Sequence, residues 1–228
     1  MNKLKSILTL IGRNQALLER TGWFPTKATS PRWWGGLESA EEVIISGLLV
    51  QQQTWRTVEQ TMDKMKKEGH STLGTISRLS LPQVEGLIGS SNFYKTKARR
   101  LLRIASAFTE AGSLDKPLRL EKRDELLSIE GVGDETADCF LLFAGNQAVV
   151  PVSAYVRRVL ERVLGRNLST GEVKSMCDSL LPHDLYSCKL FYAGLSTVGA
   201  VYCRKRVPDC QSCILNGSCS FAAWVRNQ

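Results

Sequence analysis

Four cysteines crowd the C-terminal end of this 228-residue chain: Cys203, Cys210, Cys213 and Cys219, separated by six, two and five residues. So tight a set forces that stretch to wrap around one point, because four thiolates this close act as one metal-binding unit. Soft sulfur ligands suit iron–sulfur clusters or zinc. A single [4Fe–4S] cluster takes one cysteine per iron, which matches the count; a four-cysteine zinc site is the alternative. Cys139, Cys177 and Cys188 are scattered on apolar helical patterns and read as small core residues. Seven cysteines in a chain without a secretory signal do not suggest a disulfide framework.

Lysine and arginine number 30 against 22 aspartates and glutamates, a formal net charge of +8. Excess positive charge favours polyanions through phosphate contacts and counterion release. No apolar run is long enough to span a bilayer, and Met1-Asn2-Lys3-Leu4-Lys5 is not followed by a continuous apolar stretch. The expectation is a monomeric, cytoplasmic, nucleoid-associated protein that engages nucleic acid and no membrane.

The hydrophobic periodicity is helical over residues 3–20, 39–67, 82–89, 95–111, 121–128, 134–144, 154–164, 170–181 and 184–201. Strong strand signals are absent. Ala148-Val149-Val150-Pro151-Val152 is short, carries a proline and reads as an extended connector. Breaks fall at residues 22–36, 112–120, 145–152 and 165–170. The first is long for a structureless connection and carries Trp23, Phe24, Trp33 and Trp34. These aromatics read as a clasp over the core or, for Trp33 and Trp34, as the wall of a binding pocket. His70 reads as a helix end and His183 as part of a turn; neither is assigned chemistry.

A second informative stretch is Leu126-Leu127-Ser128-Ile129-Glu130-Gly131-Val132-Gly133-Asp134-Glu135-Thr136-Ala137. An apolar helix runs into a glycine-flanked turn and a second helix starts at once. Glycine lets the backbone turn sharply and approach a partner closely. The start of the second helix offers unpaired N–H groups and a positive dipole end, where a DNA phosphate fits. An ordinary interhelical turn is the other reading of the same residues.

Hairpin, extended connector, arginine-bearing helix and cysteine spacing together resemble endonuclease III and its relatives, the helix–hairpin–helix DNA glycosylases with a [4Fe–4S] cluster, over residues 37–221. The resemblance implies an all-α, two-lobed fold. One lobe is a six-helix barrel at 37–148 carrying the helix-hairpin-helix; the other, from 1–36 and 149–228, holds the cluster. It implies double-stranded DNA with a damaged base as partner, and removal of that base by hydrolysis. Gly131 and Gly133 then form the phosphate-binding hairpin, and Arg204, Lys205 and Arg206 lie in a cluster loop that touches the backbone. Leu48-Leu49-Val50-Gln51-Gln52-Gln53-Thr54 resembles the segment whose glutamine, here Gln52, fills the space of the extruded base. Asn92-Phe93-Tyr94-Lys95-Thr96-Lys97-Ala98 resembles the loop that inserts an apolar wedge, here Phe93. Lys95, Lys97, Arg99, Arg100 and Arg103 follow on one helix, some expected to contact phosphate and some merely solvated. Trp33 and Trp34 are candidates to stack on a cationic alkylated purine, which makes alkylpurines the first expected lesion and oxidised pyrimidines the second.

The sequence departs from the family at two positions. The lysine that attacks the sugar in strand-cutting members is replaced by Glu135, so no amine-driven lyase step is expected. The run Gly133-Asp134-Glu135-Thr136-Ala137-Asp138 looks like that of a subgroup that includes alkylpurine glycosylases. The family's aspartate after the connector is Ser153. Serine can cap the helix there, but it supplies no negative charge against a carbocation-like sugar. Three explanations stand side by side: an aspartate replaced by engineering, another carboxylate (Glu135 or Asp138) in its place, or a non-catalytic DNA lesion- or structure-binding protein.

Overall fold

The computed structural model describes residues 3–228. Among them the secondary structure is helical, with no β-strand. In chain order the α-helices are α1 (Lys3–Arg13), α2 (Ala16–Glu19), α3 (Ala40–Leu49), α4 (Trp55–Lys67), α5 (Leu73–Ile76), α6 (Leu81–Leu87), α7 (Tyr94–Glu110), α8 (Arg123–Leu127), α9 (Asp134–Cys139), α10 (Ala154–Leu164), α11 (Thr170–Leu180), α12 (Leu185–Val201) and α13 (Ser220–Arg226). Short 3₁₀ turns lie at Pro31–Trp33, Leu120–Lys122 and Asn216–Ser218, and α9 passes without a break into a π-helical segment, Phe140–Ala144. No helix among the described residues is long and apolar enough to cross a membrane.

The chain divides into two compact units, one of residues 1–28 with 148–228 and one of residues 29–147. Residues 29–36 group with the second unit, whereas the sequence placed them in the first. Trp33 is the reason. It is fully buried, and Trp34 meets Phe143 of the π segment edge-on at 5.2 Å.

In the first unit α12 is the central rod. Its residues from Cys188 to Gly199 are all buried. On α1 the buried residues Leu4, Ile7 and Ile11 fall at three- and four-residue spacing, one helical stripe. On α10 Val156, Val159, Leu160 and Val163 do the same. The α10–α12 contact is close enough to require glycine: a Cβ on Gly199 would stand 2.7 Å from that of Tyr155. The connector before α10 has no regular secondary structure.

In the second unit α3 is buried along most of its length, and α4 and α7 present amphipathic faces. The long pattern over 39–67 is two helices, because Thr54 caps α4 and the three glutamines before it leave the helical path. Buried Glu42 is matched by Lys66 at 3.0 Å and by the Glu38 N–H at 2.8 Å, so its charge is compensated rather than stranded.

Candidate nucleic-acid interface

Besides Asn146 at φ 52°, two further non-glycine residues of the second unit lie in left-handed backbone. Gln52 and Phe93 both have φ 56°. That conformation is uncommon for a bulky side chain and persists only where the surroundings hold it. Here Asn92 holds both turns. Its side-chain amide donates to the Gln52 carbonyl at 3.0 Å and its own N–H donates to Gln53 Oε1 at 3.1 Å. The Phe93 side chain, at 66% exposure, is the most exposed aromatic ring in the described chain. Gln52 is exposed beside it in the linked turn.

The hairpin is tied to the same region. Gln51, next to Gln52, donates to the Gly131 carbonyl at 3.4 Å and to Thr136 Oγ1 at 3.3 Å. Gly131 has φ 96°, and a Cβ there would collide with Arg100 Cδ at 2.4 Å. Glycine is therefore required twice, for conformation and for space. Gly133 caps α9 in extended backbone with no side-chain cap bond, and it is exposed. Glu135 lies exposed in the first turn of α9. Asp138 is fully buried in a two-point pair with Arg123, at 2.6 and 3.3 Å, and Asp134 meets the same guanidinium at 2.6 Å. The hydrogen bond to Asp138 holds the Arg123 charge still more firmly than usual. Asp138 is thus a structural anion, which removes it as the acid replacing the family's aspartate.

Three other expectations are corrected or refined by burial. Trp33 has no exposed surface and Trp34 is 7% exposed, so both belong to the core clasp rather than to an open pocket wall. Of the basic residues on α7, Lys97 is buried and bonded to the Leu49 carbonyl at 2.6 Å, so it does not face phosphate. Burial pushes its pKa down to about 8. Arg103 is ion-paired to Glu130 on the hairpin, which leaves Lys95 and Arg99 exposed one turn apart.

In the first unit Ser153 is buried and caps α10, its hydroxyl oxygen accepting from the Val156 N–H at 3.0 Å. One and two turns further on, α10 carries two arginines that grip the cysteine loop. Arg158 donates to the carbonyls of Cys203 and Gly199 at 2.8 and 3.0 Å. Arg162 donates to the carbonyls of Arg204 and Lys205 at 2.8 and 3.0 Å and to Cys203 Sγ at 3.3 Å. The loop's three basic side chains, Arg204, Lys205 and Arg206, are exposed while its carbonyls are held. Cys203, Cys210, Cys213 and Cys219 line one recess with Arg162 and Phe221. Burial, reinforced by charge on the neighbouring sulfurs, pushes the Cys213 thiol up to about 11 and raises that of Cys210. Among the described residues no three Cys, His, Asp or Glu side chains stand arranged as a metal-ligand group. The chemistry of the set, four sulfurs around one shared recess, nevertheless fits a soft metal centre.

No role was assigned from the sequence to Gln51, Asn92, Arg158 or Arg162, and Lys97 was grouped with the surface cations of its helix. One signal existed: Lys97 shares the stripe Lys97-Leu101-Ile104-Phe108, all buried on α7.

The family profile of the HhH-GPD superfamily base excision DNA repair proteins matches residues 45–182. The chain belongs to that superfamily. It is a DNA glycosylase of the base-excision-repair type by family. A Methanocaldococcus jannaschii protein with a provisional DNA repair glycosylase name is 31% identical over 195 residues, covering 82% of this chain and 88% of that one. Two solved structures share the fold. A trapped endonuclease III–DNA covalent intermediate superposes with a TM-score of 0.72 at 22% identity, over 95% of this chain and 98% of the other. The 3-methyladenine DNA glycosylase MagIII of H. pylori, bound to 1,N6-ethenoadenine, gives 0.72 at 18% identity, over 88% and 98%.

Proposed function

We propose that this glycosylase extrudes a damaged base from double-stranded DNA and hydrolyses its bond to the sugar without cutting the strand. The observation that carries the reading is the bound pair of left-handed turns, one carrying an exposed amide and the other an exposed apolar ring. Extruding a base costs a few kcal/mol of stacking. An apolar ring between base steps and an amide in the vacated space offset part of that cost. Gly131 and Gly133 offer backbone N–H groups to a phosphate, and Lys95, Arg99 and the triad Arg204, Lys205 and Arg206 supply counter-charge. The protein works in the cytoplasm beside the chromosome.

Residues 123–139 contain no lysine, and Glu135 stands where strand-cutting members resemble one another in carrying it. Hydrolysis to an abasic site is therefore the end point. With Trp33 and Trp34 in the core, the choice of alkylated purines as first lesion and oxidised pyrimidines as second rests on the 133–138 pattern. The H. pylori neighbour, which its name makes a 3-methyladenine glycosylase, is like this chain in fold.

Cys203, Cys210, Cys213 and Cys219 would hold a [4Fe–4S] cluster, one cysteine per iron, and its chemistry here is structural. The bonds from Arg158 and Arg162 then present the basic loop from a fixed base.

At the sugar, Ser153 supplies no anion, and its oxygen is engaged by the Val156 N–H. Of the two carboxylates considered as replacements, Asp138 is held by Arg123 and Glu135 is exposed. The same observation favours a second reading, a protein that binds lesions or distorted DNA without removing a base. A panel of duplexes, each with one lesion, separates the two. Each is incubated with this chain and with Ser153→Asp, then treated with heat and alkali to reveal abasic sites. Base release from an alkylpurine duplex, increased by Ser153→Asp, supports the enzyme. Binding by both forms with release by neither supports the second reading. Strand cleavage without alkali contradicts the absence of a lyase step.

A further inference from the structure

Lys97 lies in the first turn of α7, the helix that Phe93 begins, where its N–H makes the ordinary helical bond to the Phe93 carbonyl at 3.0 Å. Its side chain reaches away from that helix: the buried ammonium donates to the Leu49 carbonyl at 2.6 Å. Leu49 ends α3, three residues before Gln52. The last carbonyls of a helix lack partners within it, and a cation there is favoured by the helix dipole. Asn92 supplies the other link, from the opposite side of Phe93 in the chain, by its bonds to Gln52 and Gln53. A buried lysine loses solvation and rotamer freedom, and an apolar residue would suit the stripe Leu101, Ile104 and Phe108 better. Stability therefore gives no reason for a lysine at this position, whereas geometry does.

We propose that Lys97 and Asn92 are positioning residues that buckle the Gln52 and Phe93 turns into one rigid two-pronged unit, so that plug and wedge enter the duplex together. The inference rests on the reading of Gln52 and Phe93 given above and assigns what fixes their mutual register.

The test uses the full chain and a duplex carrying 2-aminopurine beside a tetrahydrofuran abasic-site analogue, whose fluorescence rises when stacking is broken. At saturating protein, Lys97→Met and Asn92→Ala each lose most of the rise. The melting temperature does not fall below the native value and the affinity for undamaged duplex is unchanged, which a merely structural role would not allow. Lys97→Arg, which keeps a donor, restores part of the signal, and the double variant loses little more than either single one. Asn92 is exposed, so its variant decides the matter even if Lys97→Met does not fold. A native signal from either folded variant, while Phe93→Ala loses the signal, overturns the buckle alone. A native signal from Phe93→Ala overturns the wedge reading and the buckle with it.

Discussion

Arg123 and Asp138 form a two-point ion pair beneath the hairpin, with the carboxylate fully buried and the guanidinium side chain 22% exposed. The pair fixes α8 to α9, the two arms of the hairpin, and Asp134 adds a contact from the first turn of α9. Breaking such a pair from one side leaves an uncompensated charge in a poorly solvated place. Asp138→Ala is expected to destabilise the fold by about 3–5 kcal/mol. Urea denaturation of the variant measures it. A variant of native stability would show that the pair does not hold the hairpin.

Gly131 gives a sharper local prediction. Alanine there needs φ 96° and meets Arg100 Cδ at 2.4 Å. The expected cost is about 1–3 kcal/mol. Because Gln51 bonds the Gly131 carbonyl, the distortion also reaches the Gln52 turn. Duplex affinity should fall alongside the melting temperature, and Gly133→Ala, where a Cβ meets nothing within 4 Å, should leave the melting temperature near native.

Lys189 on α12 is fully buried, donates to the Ala28 carbonyl at 2.7 Å, and is pushed down to about 8 by loss of solvent. Its folded pKa lies below its unfolded value, so the unfolded chain binds more protons between the two. The destabilising effect is complete below about pH 8 and disappears as pH rises to about 10.4, the unfolded lysine value. Lys189→Met should thus be more stable than the native chain at pH 7, with the difference shrinking through pH 9. Denaturant midpoints across that range provide the check.

The cysteine centre and the basic loop are tested together. The proposed cluster requires about four irons and four sulfides per chain. Cys213→Ala should lose the iron, and with it the fixed presentation of Arg204, Lys205 and Arg206. Each of these three residues that contacts a phosphate contributes about 0.9 to the slope of log affinity against log salt. A triple substitution to alanine should flatten the slope by up to that amount per contact. A preparation containing zinc in place of iron would refute the cluster.

The fold class could be read from the sequence because α1, α4, α7 and α10 each bury one periodic stripe. Helix ends were less legible. The pattern over 3–20 stops at Arg13 and resumes at Ala16, and the pattern over 39–67 breaks where Thr54 offers a competing cap. The one-turn α5 and the C-terminal α13 are too short for a periodic signal, and packing maintains them: α13 lies on α10 through Ser220, whose hydroxyl donates to the Val163 carbonyl at 2.9 Å.

At the site, motif residues could be found and their attachments could not. Gln52, Phe93 and the hairpin glycines have local signatures. Asn92 acts across 40 residues and Arg158 across 45, and no window of sequence carries such a pairing. Trp33 and Trp34 stayed open between two readings for a related reason. A large aromatic ring in a loop looks the same whether the loop folds inward or stays open, and Trp33 folds inward.

Ser153 begins α10 with a single oxygen on a single N–H, and an aspartate would make that same bond with almost equal strength. The cap of the helix is therefore the same whichever of the two stands there, although the reaction is not. Such a chain can gain or lose its chemistry by one codon while every helix keeps its place, and a likeness of shape to working relatives persists unchanged through either event.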